Sequence, residues 1–309
     1  MAHRILNIGS SNIDFIMKME RLPRVGESIT DAVFVQTYGG KGANQALAAA
    51  RAGGDVTFVN CVGDDEFAPR MLAGMQSDGV DVSNVQVVQG ALSGTALVMI
   101  GDDGNNYLSI APGANYNLTP PVLEAIDGLF SDVAVIMLQY EIPAESLYWI
   151  IKRAEELRID VIWNLAPARE INMSYIRRVR YLVVNETEGE FLSGVPFRSP
   201  DDAPAVAARL VEMGASTVIL TMGHHGSYLL DGDLAVTVPA HPVDAVDATA
   251  AGDCYCGALA VALAEGRAIR EAVTFASVAA GLSASRLGAQ PSLPYRDEID
   301  RAIAGQNGR

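Results

Sequence analysis

The sequence predicts an α/β fold with three layers, α/β/α, around a mostly parallel central sheet, plus a small antiparallel β lid. Three observations carry this. Short apolar runs ending at Gly, Asn or Asp recur along the chain, and stretches with helical spacing lie between them. Two further segments break that rhythm with polar/apolar alternation and no crossover helix. Buried runs alternating with helices imply a parallel sheet covered on both faces.

The apolar runs fall at 5–8, 56–62, 133–138, 161–163, 181–184 and 217–220. The helical spacings fall at 44–52, 144–157 and 203–213. The segments 13–38 and 95–110 read as strands joined by turns, at Pro23-Arg24-Val25-Gly26 and Gly101-Asp102-Asp103-Gly104-Asn105. They are expected to form the lid as two insertions, and ordinary edge hairpins are the plainer alternative. No repeat or long linker interrupts the chain, so 1–309 is expected to form one domain. In such folds ligands bind at the carboxyl ends of the strands. Chemistry is therefore expected just after each apolar run.

Composition narrows the partners. The chain has 309 residues, with 22 Lys plus Arg against 37 Asp plus Glu, a net charge of −15. This argues against a nucleic-acid or anionic-membrane partner, which needs clustered basic residues. Half the residues are hydrophobic and 19% are charged, which excludes intrinsic disorder. Cys61, Cys254 and Cys256 give no disulfide framework and no zinc spacing, so buried thiols in a reducing compartment are expected. The first residues lack a signal-peptide pattern, and no apolar run is long enough for a bilayer. The reading is a soluble, cytoplasmic protein.

Five segments carry candidate chemistry. Asn12 and Asp14 follow the first apolar run and are two apart, so an extended backbone points both to one side. An amide with a carboxylate suits vicinal hydroxyls, whereas an Asx turn is the simpler explanation. Glu141 follows the 133–138 run, where a charge is costly unless partnered. Gly39-Gly40-Lys41-Gly42-Ala43-Asn44 opens an Ala-rich helix and is no Walker A loop. Its glycines permit close backbone approach, and Lys41 and Asn44 offer donors.

The small residues Ala248 to Gly252 precede a long apolar helix with Asp253 in its first turn. Uncovered N–H groups there form an anion site, and Asp253 could take a hydroxyl proton. A plain helix cap is equally open. Asn185-Glu186-Thr187-Glu188 reads either as carboxylates that organise Mg²⁺ or as a capping box. Thr221, Gly223 and Gly226 would let a nucleotide lie against the backbone, while His224 and His225 read as turn residues.

Together these segments resemble the ribokinase (PfkB) family of sugar kinases over nearly the whole chain. Gly39 to Ala46 resembles its N-terminal signature and Asp247 to Asp253 its C-terminal signature D-x-x-[GA]-A-G-D. Asn185 to Glu188 resembles its N-x-x-E motif. Gly40-Lys41-Gly42-Ala43-Asn44-Gln45, Leu138-Gln139-Tyr140-Glu141, Asn164-Leu165-Ala166-Pro167-Ala168 and Gly288-Ala289-Gln290-Pro291-Ser292 resemble the ribokinase branch.

The resemblance implies a ribokinase-like fold and transfer of the ATP γ-phosphoryl group to the 5-hydroxyl of D-ribose. Another small sugar, such as deoxyribose or a fructose derivative, or a nucleoside, is the alternative acceptor. The resemblance implies that Asn12, Asp14, Gly40, Lys41, Asn44 and Glu141 hold the sugar, with Asp253 as base. Ala250, Ala251 and Gly252 would form the anion hole. Asn185 and Glu188 would position the phosphates and Mg²⁺; Thr221, Gly223, Gly226, Gly252 and Ser277 would line the nucleotide site. Asp247 and Thr249, with Arg286, Gly288 and Ser292 from the C-terminal loop, would hold an activating K⁺, some through backbone oxygens. A homodimer through the lids is implied. Ala248 and Ala250 depart from the family's usual Thr and Gly, but both are small and the anion-hole donors are main-chain. Phe15 is expected as a bulky neighbour of the sugar residues.

Overall fold

The computed structural model of the protein describes residues 3–307. Along the chain come β1 (Arg4–Ile8), β2 (Asn12–Met19), β3 (Val33–Gly39), α1 (Lys41–Arg51), β4 (Asp55–Val59) and β5 (Cys61–Gly63). Then follow α2 (Ala68–Ser77), β6 (Gln86–Val88), β7 (Gly94–Gly101), β8 (Asn106–Ala111), α3 (Pro120–Glu124), β9 (Val133–Leu138) and α4 (Ala144–Leu157). Next are β10 (Asp160–Asn164), β11 (Tyr181–Asn185), α5 (Glu186–Ser193), α6 (Ala203–Glu212) and β12 (Thr217–Thr221). The chain closes with β13 (Ser227–Asp231), β14 (Leu234–Val238), α7 (Ala251–Ala264), α8 (Ile269–Ala284) and α9 (Arg296–Asn307).

The central sheet has the order β14-β13-β12-β11-β10-β9-β1-β4. From β4 to β12 every pairing is parallel; β13 and β14 add an antiparallel edge. Strand alternation sorts the core onto two faces. Ile5, Val135, Met137, Ile162, Val183 and Ile219 pack toward α1, α7 and α8. Leu6, Ile8, Ile136, Leu138, Trp163, Leu182 and Leu220 pack toward α4 and α6. This is the expected three-layer arrangement.

Two strand details differ from the sequence reading. The apolar run 56–62 is broken at Asn60, whose side chain donates to Ser11 Oγ (2.6 Å) and accepts from the Cys61 N–H (2.6 Å). The chain then leaves the central sheet, and β5 pairs with β6 instead. The β13–β14 hairpin was not foreseen. Its outer strand has only one buried residue, so it presents no apolar run.

The lid is a separate sheet of order β3-β2-β7-β8. Each insertion gives an antiparallel hairpin, and the two hairpins join through a parallel β2–β7 pair. Phe34, Leu97, Tyr107 and Leu108 on this sheet are each 55–60% exposed. All three cysteines are buried and free, as expected. Among the described residues no helix is long and apolar enough to cross a membrane.

Helix α7 is buried on all sides from Asp253 to Ala262, so its apolar character is that of a central helix. Gly257 lets it touch α1: a Cβ there would lie 2.7 Å from the Gln45 carbonyl oxygen and 2.8 Å from Ala48 Cβ. One turn earlier on α7 stands Asp253. The close helix contact therefore brings α1 side chains within reach of that carboxylate.

Candidate active site

The carboxyl ends of β1, β9, β10, β11 and β12 converge beside the N-termini of α1 and α7. On the first side lie Asn12 and Asp14, both on β2 and on one face of the lid strand, so neither is an Asx turn. Asn12 is buried, and its Oδ1 accepts from Asn115 Nδ2 (2.9 Å). Asp14 packs against Gly39, where a Cβ would stand 2.2 Å from its Oδ2. Burial first, and then the charge of Glu141, pushes the Asp14 carboxyl up to about 7 from the ordinary 3.8. Glu141 itself accepts from Ser10 Oγ and from the Lys41 N–H (3.2 Å).

Gly40 caps α1 with φ +88°, and a Cβ there would lie 2.6 Å from Ser11 Cα. Only glycine lets the α1 entrance pass this close to the loop after β1. Phe15 alternates away from Asp14 and stacks on Phe34, with ring centroids 5.8 Å apart. Its ring also meets Phe67 edge-on at 5.8 Å, so its packing partners lie in the lid and at the start of α2.

Asp253 lies at the centre. It is 7% exposed and accepts from Asn44 Nδ2 and Gln45 Nε2, each at 3.0 Å. Burial raises its carboxyl above the ordinary range, opposed by Lys41, Asn44 and Gln45. Burial would lower the Lys41 ammonium, but Asp253, Glu141 and Glu188 hold it above its ordinary value. Lys41 is therefore a firmly charged cation beside a carboxylate suited to take a proton.

The turn before α7 is built by an unusual residue. Ala250 has φ +61° and ψ 7°, a left-handed conformation that costs a non-glycine roughly 1 kcal/mol. The Ala251 N–H donates within the turn to the Ala248 carbonyl (3.1 Å), and Cys254 N–H closes the first helical bond to Ala250 O (2.8 Å). The N–H groups of Ala250, Gly252 and Asp253 take no partner among the described residues. They are the main-chain donors available to an anion at this helix end.

A cavity of about 220 Å³ opens in front of this turn, lined by Lys41, Asn164, Ala166, Asn185, Glu188, Thr221, Ala248, Ala250, Gly252 and Asp253 among others. Asn185 and Glu188 form a reciprocal capping box at α5. Glu188 Oε2 accepts from Asn185 N–H (2.9 Å), and Asn185 Oδ1 accepts from Glu188 N–H (2.8 Å). Burial raises the Glu188 carboxyl; Asn185 and Lys41 oppose the rise. The box leaves one Glu188 oxygen for another partner, so cap and cation site are compatible. No group of three His, Cys, Asp or Glu side chains that could hold a metal occurs among the described residues. One free Glu188 oxygen suits Mg²⁺ carried with phosphates and water, which needs only one or two carboxylates.

A second cavity of about 440 Å³ is lined by Thr237 to Pro242, Arg270, Thr274, Ser277 and Val278. Ser277 Oγ donates to the Pro239 carbonyl (2.9 Å). Gly226, at φ +90°, stands against this wall: a Cβ would lie 2.1 Å from Val238 O. Gly223 opens the same turn at φ +51°. His224 and His225 are exposed in that turn with ring centroids 3.9 Å apart.

The remaining predicted residues lie on two touching loops. Asp247 accepts from the Thr249 N–H and the Gly288 N–H, each at 2.9 Å. Burial raises its carboxyl, but these donors outweigh burial and hold it below the ordinary range. Ser292 Oγ donates to the Ala289 carbonyl (2.7 Å), while Arg286 pairs with Glu298 (2.5 Å). Asp247, Thr249 and Ser292 offer oxygen donors only, the set a hard cation prefers.

Sequence reading missed several residues here. Asn164, Ala166 and Val183 line the cavity, and Gln45 touches Asp253, yet none was given a role. Asn164 and Gln45 do stand inside ribokinase-like segments. That was the available signal.

A carboxylate at a helix N-terminus, with amide and carboxylate side chains on one side and unpartnered main-chain N–H groups on the other, suits phosphoryl transfer to an alcohol. The chain belongs to the pfkB family of carbohydrate kinases, whose model matches residues 2–296. It is 35% identical over 308 residues to a ribokinase of Schizosaccharomyces pombe, covering 96% of each chain. It is 34% identical over 298 residues to a deoxyribokinase of Salmonella typhi, covering 96% of this chain and 97% of that one. It also spans 56% of the length of a bifunctional ribokinase/ribose-5-phosphate isomerase A of Fructilactobacillus sanfranciscensis, at 34% identity. The fold superposes with a TM-score of 0.90 on Arabidopsis thaliana ribokinase complexed with ribose and ATP, at 30% identity, covering 98% and 99% of the two chains. The protein is a sugar kinase.

Proposed function

We propose that the protein phosphorylates D-ribose at its 5-hydroxyl, with ATP as donor and ADP as the second product. The observation that carries this reading is the placement of Asp253. Its carboxylate meets Asn44 on the acceptor side and heads a helix whose N–H groups face the anion-binding side. Asn12, Asp14, Gly40, Lys41, Asn44 and Glu141 would hold the sugar hydroxyls. Asp253 would take the proton of the attacking hydroxyl. The N–H groups at the start of α7, with the helix dipole and Lys41, would stabilise charge on the transferring phosphoryl group.

Mg²⁺ bound with ATP would supply charge neutralisation on the phosphates, and Asn185 and Glu188 are the residues to hold it. Thr221, Gly223 and Gly226 would flank the nucleotide, with Ser277 in the base cavity. Asp247, Thr249, Arg286, Gly288 and Ser292 would form the K⁺-binding loops. The lid would exclude water that could otherwise accept the phosphoryl group. Its exposed apolar surface supports pairing of two copies through their lids. Sedimentation showing only monomer at working concentration would contradict that pairing.

The test is sugar-dependent ADP release, with and without K⁺, over a panel of ribose, deoxyribose, fructose derivatives and nucleosides. Ribose is expected to give the highest kcat/KM. The similarity to a deoxyribokinase favours one second reading, deoxyribose as acceptor. A kcat/KM for deoxyribose above that for ribose would select it. No ADP release with any sugar would sink both readings.

A further inference from the structure

Asn7, Gln45 and Gln139 are fully buried amides outside the lining of the two cavities described above, and they are hydrogen-bonded in a row that ends on Asp253. Gln139 Nε2 donates to Gln45 Oε1 (2.7 Å) and to Asn7 Oδ1 (3.1 Å). Gln45 Nε2 donates to Asp253 Oδ1 and to Asn164 Oδ1, each at 3.0 Å. The flanking amides end on main-chain carbonyls: Asn7 Nδ2 donates to Gly42 O (2.6 Å) and Asn164 Nδ2 to Val183 O (3.3 Å).

A carbonyl can only accept, so these two contacts fix the direction of every amide between them. Turned around, Gln45 would aim its oxygen at the Asp253 carboxylate and at Asn164 Oδ1, three acceptors with no hydrogen among them. The direction leaves a cost. Gln139 Oε1 has no partner among the described residues, and Gly9 makes room for it, since a Cβ at Gly9 would stand 1.9 Å away. A buried amide with an orphan oxygen is a poor device for stability, because an apolar pair of the same shape would serve as well.

We propose that Gln45 and Gln139 are positioning residues for phosphoryl transfer. The relay presents N–H to one Asp253 oxygen, Asn44 does so to the other, and the carboxylate is held in one orientation toward the acceptor hydroxyl. This rests on the reading of Asp253 as the base. Gln45 acts on Asp253 directly. Gln139 acts through Gln45 by occupying its oxygen and so turning its N–H groups toward Asp253.

The experiment measures kcat, sugar Kd and melting temperature for Gln45→Met and Gln139→Met, each in the parent and in an Asp253→Asn background. Gln45→Met is expected to lose about 10- to 100-fold in kcat, the range for one charge-assisted hydrogen bond, with sugar Kd held within about threefold. Gln139→Met cannot donate, so the Gln45 oxygen loses its partner and its N–H groups are no longer held toward Asp253, and kcat is expected to fall about 10-fold. In the Asp253→Asn background neither substitution is expected to lower kcat further, because residues acting as one unit are non-additive.

Parental kcat in both variants, or an equal loss with and without Asp253, overturns the proposal. Should one variant not fold, the other decides; failure of both to fold also overturns it, since the relay is then structural. Near-normal kcat in Asp253→Asn alone overturns the reading of the base instead.

Discussion

The two sides of the site are made of different material. The acceptor side is built from side chains, each already engaged: Asn12 by Asn115, Glu141 by Ser10 and the Lys41 N–H, Asn44 by Asp253. The proposed phosphate and nucleotide side is built mainly from backbone, with positive φ at Ala250, Gly223 and Gly226 and an unpartnered N–H at Gly252. Side-chain recognition is sensitive to charge and hydrogen-bonding type. Backbone recognition is sensitive to any added atom or change of handedness.

Substitutions on each side test that contrast. Asp253→Asn, at the junction, is expected to fold normally and lose about 10³-fold in kcat, within the usual range for a general base. A single-turnover rate near the parent's would refute the role. Glu141→Gln keeps the shape and removes the charge, so sugar KM is expected to rise about 10- to 100-fold while ATP KM stays nearly fixed. An equal rise in both constants would blur the two sides into one.

Gly226→Ala is the counterpart on the nucleotide side. Its Cβ must displace the Val238 carbonyl, 2.1 Å away, so the wall of the base cavity shifts. ATP KM is expected to rise about 10-fold with sugar KM unchanged. Initial-rate measurements with each substrate varied in turn decide both cases.

Asp14 gives a pH signature to the acceptor side only. Hydroxyls donate to a carboxylate, so sugar kcat/KM is expected to rise as pH passes about 7, where Asp14 ionises in the free enzyme. The sign for stability is opposite. The folded carboxyl keeps its proton up to about 7 and the unfolded one only to about 3.8, so this contribution to stability fades as pH rises between them. Asp14→Asn should erase the inflection in sugar kcat/KM; an unchanged profile would assign it to another group.

Ala250→Gly has the smallest expected effect. Relief of the left-handed alanine should raise stability by about 1 kcal/mol, or roughly 2 °C in Tm. A fall in Tm would mean that the strain is absent.

Much of this was legible in the sequence. The apolar runs gave six of the central strands, and polar segments after them held the site, because a parallel sheet ends all its strands at one edge. Asp253, Lys41 and Glu188 could be read from local pattern, and they do converge on one cavity. Ala250 could be read for size but not for handedness, which depends on how the turn meets α7. Gln45 and Gln139 stand 94 residues apart, and neither is unusual in its own segment. Only the fold, which sets α1 beside the carboxyl ends of β1 and β9, makes them neighbours. Phe15 is the converse case: it adjoins Asp14 in the chain, but adjacent positions on a strand point to opposite faces, and its ring stacks on Phe34.

The bond between Asn44 and Asp253 joins residues 209 positions apart. During synthesis the acceptor side is therefore made long before the group that would activate the acceptor. On the proposed reading, a prematurely ended chain would carry the acceptor-side residues without Asp253, so catalytic competence would arrive late in translation.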